Sequence, residues 1–131
     1  MDFVKYFKTV NAKKQIDNLA KKYKNKKIVV YGAGIMSNTL FENYDLSKLN
    51  IAAVCDIKYS EEKEDFFSYK TISPEELKTF DCEIILVLVQ RYLNIEKQLK
   101  YKVLFDTKNE NTKIEKFIKL PFSILLKEIL F

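Results

Sequence analysis

"KKIVVYGAGIMSNTL", residues 26–40, decides how this chain folds. It contains the only two glycines of the protein, Gly32 and Gly34, two residues apart and directly after the apolar run Ile28-Val29-Val30-Tyr31. A continuous apolar run of that kind is expected of a strand buried on both faces in a parallel sheet. Residues 35–43 read as a helix, with Met36 one turn ahead of Leu40 and Phe41. A strand that passes through a glycine turn straight into a helix lets phosphates approach the backbone. Gly32 is expected to make the tight turn, and Gly34 to leave the backbone bare. Ser37, small, takes the third position, where the helix packs close to the strand. The helix beginning near Ile35 would aim free N–H groups and its positive dipole end at an anion. Ala33, Ile35 and Met36 complete the turn as candidate ligand contacts.

Downstream, "NIAAVCDI", residues 50–57, reads as a second buried strand. It carries Asp56, 24 residues after Gly32, close to the ~20 expected of the acid that accepts ribose hydroxyls. "KYSEEKEDFFSYK", residues 58–70, is a polar loop whose acids Glu61–Asp65 look solvated. Lys58 and Tyr59 are weaker candidates, for a 2′-phosphate or an adenine face. "TISPEEL" gives a short strand at Thr71–Ile72 and then a helix start. Ser73 is the N-cap, Pro74 suits the first helical position, and Glu76 completes a capping box. "CEIILVLV" is a strand over 84–89, followed by Gln90 and Arg91, the only arginine of the chain. A parallel sheet binds ligands where its strand order reverses, so Gln90 or Arg91 is expected to overhang the site. A guanidinium fork meets phosphate more specifically than an ammonium does.

The remaining segments complete an alternating pattern. "QRYLNIEKQLK" reads as a helix, "KVLFDT" at 102–107 as a further strand, and Phe122–Leu130 as a short amphipathic helix. Residues 2–24 read as a basic amphipathic helix whose apolar face shifts near Asn11. Alternating strands and helices imply an α/β fold with a parallel sheet, and right-handed crossovers favour strand order 3-2-1-4-5. The chain divides into an N-terminal helical segment, 1–25, and the α/β domain, 26–131.

Composition sets limits on function. Residues 1–27 hold nine lysines and two aspartates, whereas the rest of the chain is slightly acidic. The bland reading of this charge is a solvated helix face, and a nucleic-acid role is not expected. The chain has no histidine, and its cysteines, Cys55 and Cys82, form no CxxC pair, so no metal site is expected. Cys55 reads as a core residue of the second strand, and Cys82 as exposed. Without histidine there is no Ser-His or Cys-His catalysis, and no acid–base pair can be named. YxxxK occurs at Tyr23–Lys27, Tyr44–Lys48 and Tyr59–Lys63, all before the strand at 84–89 that a working pair should follow. No apolar stretch reaches the ~18 residues of a membrane span. The first fifteen residues do not read as a secretory signal, so a cytoplasmic location is expected.

The stretches "KIVVYGAGIMSNTL", "IAAVCDI", "TISPEEL" and "CEIILVLV" together resemble small Rossmann-like domains associated with bacterial cell-surface polysaccharide synthesis. The resemblance covers about 80 of the 131 residues, from Lys27 to Thr107. It implies a module that binds a nucleotide, as NAD(P) or a nucleotide sugar, in the service of sugar modification. Gly32, Gly34 and Asp56 are the residues that carry over. The partner is then a small nucleotide ligand, with a larger enzyme or a second copy as protein partner. The alternative is an interaction or dimerisation domain in which the glycine turn is a relic.

Overall fold

The computed structural model describes residues 2–120. Five parallel strands form one sheet in the order β3-β2-β1-β4-β5. They are β1 (Ile28–Tyr31), β2 (Ile51–Cys55), β3 (Thr71–Ile72), β4 (Ile84–Val87) and β5 (Lys113–Lys116). The helices are α1 (Phe3–Thr9), α2 (Ala12–Lys22), α3 (Ile35–Asn43), α4 (Pro74–Leu77) and α5 (Tyr92–Gln98). The expected α/β class and the strand order 3-2-1-4-5 are both present.

All four residues of β1 and all four of β4 are buried. They pair in register, Ile28 beside Ile84 through Tyr31 beside Val87. Strands apolar on both sides need a helical layer over each face. Alternate β1 residues therefore enter separate cores. Ile28 and Val30 pack with α1, α2 and α3, through Phe7, Ile16 and Leu40 among others. Val29 and Tyr31 pack under α4 and the helical segment that follows β4, with Leu77, Leu99 and Leu104.

The N-terminal helix divides where its apolar face shifts. Asn11 adopts a left-handed conformation, φ 54°, ending α1 and capping α2 through its side chain. Asparagine is one of the few residues that takes this region readily. Phe3, Phe7, Ala12, Ile16 and Leu19 are buried in the same core as the sheet. The lysines fall on the outer side, as the pattern required.

The stretch 102–107 is not a strand. α5 runs on into a π-helical turn, Leu99–Val103, in which the Leu104 amide donates back to the Leu99 carbonyl at 2.8 Å. This buries Leu99 and Leu104 under the sheet. A short apolar run such as Val103-Leu104-Phe105 fits a buried helix as well as a strand, and periodicity cannot separate them. The fifth strand is instead the polar Lys113-Ile114-Glu115-Lys116, paired with β4 from Ile84 to Val87. It lies at the end of the sheet order, and lysines are common on such edges because they discourage further pairing. Cys82, expected at the surface, is buried. The helix expected over Phe122–Leu130 lies outside the described residues.

Candidate functional site

The turn from β1 to α3 is built by contacts that glycine alone allows at one of its two positions. Gly32 has φ +119°. A Cβ there would stand 2.4 Å from the Leu88 carbonyl oxygen and 2.9 Å from Val89 Cγ1. Gly32 is therefore the point where β1 and the end of β4 approach too closely for any side chain. Ser37 locks the same junction, its buried hydroxyl donating to the Gly32 carbonyl at 2.6 Å. The expected small third residue is thus a bonded one.

Gly34 differs. It is the N-cap of α3, with φ −91° and no side-chain cap. A Cβ placed on it would meet nothing within 4 Å. The first intrahelical bond is the Asn38 amide to the Gly34 carbonyl, 2.9 Å. The amides of Ile35, Met36 and Ser37 therefore begin the helix without an acceptor among the described residues, as helix geometry dictates.

Beside Gly34 lies an open cleft of about 450 Å³. Gly34, Ile35 and Asn38 form one wall, and the loop after β2 forms the other with Lys58, Glu62, Glu64 and Asp65. Lys58 is fixed there, its ammonium donating to the Ala33 carbonyl at 2.7 Å. The cleft thus brings helix N–H groups and an ammonium together with carboxylate acceptors. Phe66 and Tyr59 lie at its base, and both are buried.

Asp56 stands under this turn, but its oxygens face the protein. One accepts from the Ala33 amide at 2.8 Å. The other accepts from the Lys58 amide at 3.1 Å, capping the 3₁₀ turn Ile57–Ser60. The carboxylate thereby ties the end of β2 to the glycine turn. Tyr59 is 3% exposed, so its ring face is not open to a base.

Gln90, Arg91 and Met36 lie on the other side of the turn. Met36 and Gln90 line an apolar cleft of about 430 Å³ with Phe3, Tyr6, Val89 and Lys116. Arg91 and Gln90 border a shallower hollow with Tyr92, Asn94 and Lys116. The structure thus gathers Ala33, Gly34 and Ile35 at one cleft and Met36 and Gln90 at a second, with α3's first turn between them.

Nothing in the sequence marks Asn38, and the loop acids read as solvated, Glu61–Asp65, are exposed, with Glu62, Glu64 and Asp65 also walling the cleft. A run of loop acids has no periodicity to say which face it will present. Nor does it mark Phe3 and Tyr6, whose helical spacing signals only a core face. Burial pushes the Tyr31 phenol up to about 12 and the Cys82 thiol up to about 11. Among the described residues no cluster of acids and cysteines has the makings of a metal site. No helix among them is long and apolar enough to cross a membrane.

A family model described as "C2185-like, N-terminal" matches residues 24–115, most of the chain, and the protein belongs to that family. No curated protein and no solved structure matches it.

Proposed function

We propose that this C2185-like domain binds a phosphate-bearing, nucleotide-type ligand at the bare first turn of α3. The family match adds no chemistry to this reading, which rests on the site. The observation that carries it is Gly34. At Gly32 the φ and the close contacts require glycine; Gly34 is an N-cap, a place where glycine is well tolerated, and neither its φ nor its packing excludes a side chain. Its missing side chain leaves the amides of Ile35 and Met36 open to an anion, with the Lys58 ammonium held one residue away. The ligand we propose is a dinucleotide or a nucleotide sugar. The resemblance of the glycine turn and its neighbouring strands supports a role in bacterial sugar modification or cell-surface polysaccharide synthesis.

Calorimetric titration of the full chain with NAD and with UDP-glucose tests this, beside the variant Gly34→Val. A Cβ at this position meets no neighbour and φ −91° is open to any residue, so the variant should fold, with a melting temperature lowered only by the loss of the N-cap glycine, about 1 kcal/mol. Its binding should be lost. A bound ligand at a hundredfold excess over its Kd should stabilise the wild type by about 2.7 kcal/mol. Absence of heat and of stabilisation with both compounds rejects the reading.

One observation favours the interaction-domain reading. Leu93, Tyr101 and Phe105 are more than 60% exposed along α5 and the segment after it. Side chains of this size in solvent mark contact surfaces when they are contiguous. A dimer that light scattering detects in wild type and loses in Tyr101→Glu would support it.

A further inference from the structure

Leu93, Tyr101 and Phe105 are 68%, 70% and 63% exposed. With Lys97 they recur every fourth residue along α5 and the π-helical turn after it. Residues four apart share a helix face, and the wider π turn keeps them in line. The connection from β4 to β5 therefore carries one apolar stripe in solvent. Lys97 and Lys102 stand in it and beside it, both exposed, and neither has an ion pair among the described residues. An apolar stripe with free ammonium groups suits an apolar group that brings negative charge. It suits itself poorly, because stripe on stripe would set lysines against lysines, and like charges across an interface oppose association.

The complementary make-up occurs on this same chain. The loop from β2 to β3 ends in the two-residue turn Phe67-Ser68, closed by backbone bonds between Phe66 and Tyr69 of 3.0 and 2.9 Å. Both turn residues have positive φ, 48° and 69°, a region phenylalanine rarely takes. The Phe41 and Phe66 rings hold Phe67 there, with centroids 5.8 and 5.0 Å away, yet the residue is 41% exposed. A ring fixed before it binds loses little freedom on binding. The exposed acids Glu61, Glu62, Glu64 and Asp65 precede it, also without ion pairs among the described residues. This loop joins β2 to β3, whereas the stripe lies between β4 and β5, at the other end of the sheet order. The two surfaces can meet only between molecules.

Resting on the interaction reading above, we propose that the stripe of one copy receives the Phe67 turn of a second, head to tail. The Phe67 ring packs on Tyr101 and its apolar neighbours, and the loop acids face Lys97 and Lys102. Such a contact leaves each copy of a pair with one free surface, so it builds a ring or a chain of copies. The same loop walls the cleft beside Gly34, so the neighbour's α5 borders that cleft.

The test is sedimentation velocity on the full chain across a concentration range, with the variants Phe67→Asn, Asp65→Lys and Tyr101→Glu. Asparagine tolerates positive φ, and Asp65 and Tyr101 are exposed, so circular dichroism should show all three folded. Wild type should associate beyond a dimer as concentration rises, and roughly tenfold more weakly in about 0.5 M salt than in about 0.05 M. Phe67→Asn and Tyr101→Glu should each be monomeric, and Asp65→Lys should associate about tenfold more weakly than wild type. An equal mixture of Phe67→Asn and Tyr101→Glu should form a one-to-one dimer that grows no further, since each supplies the surface the other lacks. If the loop variants associate like wild type and only Tyr101→Glu does not, the inference is overturned and the stripe remains an interface of another kind. A mixture that stays monomeric overturns it equally. A wild type monomeric at every concentration removes the interaction reading as well.

Discussion

At the scale of single residues, the two glycines have separate causes, and a pair of substitutions separates them. Gly32→Ala must fit a Cβ 2.4 Å from the Leu88 carbonyl oxygen at φ +119°. Neither the backbone oxygen nor the dihedral can yield without moving β4 against β1. A loss on the order of 2–4 kcal/mol is expected by urea denaturation, in the range of mutations that strain a special backbone conformation. Gly34→Ala meets no neighbour and loses only a modest N-cap preference, so it should cost on the order of 1 kcal/mol or less, well below Gly32→Ala. Equal effects at the two positions would show that Gly34 is structural and would remove the basis of the proposed site. Asp56 shows what spacing leaves out at this scale. Its position suits an acid that accepts ribose hydroxyls, and each of its oxygens also accepts a backbone amide, from Ala33 and from Lys58. Spacing reports where a residue stands on the chain and says nothing about which donors converge on it.

At the scale of elements, caps and breaks were readable because their chemistry is local. Ser73 accepts from the Glu76 amide at 3.2 Å, and Glu76 accepts from the Ser73 amide at 3.0 Å, completing the box expected from "SPEE". Asn11 is a similar case, since the apolar face shifts where the helix breaks. Its left-handed backbone and its cap on Lys14 are separable. Asn11→Gly keeps the backbone region and loses the cap, so it should cost only a few tenths of a kcal/mol. Asn11→Ala loses the cap and strains the backbone, so about 1–2 kcal/mol is expected from thermal or urea melts. If alanine proved as benign as glycine, the left-handed break would not be what separates α1 from α2. β5 was illegible for the opposite reason. Its residues are mostly charged, and what makes them a strand is the open side of β4.

At the scale of the whole molecule, that edge strand fastens the N-terminal helices to the sheet. Glu115 of β5 is 7% exposed and accepts from the Tyr23 hydroxyl, from Lys22 Nζ at 3.1 Å and from Lys119 Nζ at 2.7 Å. The Gln15 side chain adds bonds to the Lys119 amide, 2.7 Å, and carbonyl, 2.8 Å. Burial alone would raise the Glu115 carboxyl. The hydrogen bonds from Lys119, Tyr23 and Lys22 together outweigh it and lower the group from 4.5 to about 2. A carboxyl depressed by folding stabilises the folded state fully above its unfolded value and loses that contribution as pH falls toward the folded one. Wild type should therefore lose stability between pH 4.5 and about 2, and Glu115→Gln should lose less over the same window. Urea midpoints measured across that range check this. Parallel pH profiles for the two proteins would mean that other carboxylates carry the acid response.

The layered fold was legible in the chain, because apolar runs of four or five residues bounded by glycine and by capping residues suit strands buried on both faces of a parallel sheet, and those bounding residues act within a few positions. Packing in three dimensions settled which polar stretch became the fifth strand, that Asp56 bonds the Ala33 and Lys58 amides, and that two unlike clefts border the first turn of α3. Each of these depends on groups from distant parts of the chain meeting in space, and a side chain's partners are fixed by the packing of whole elements.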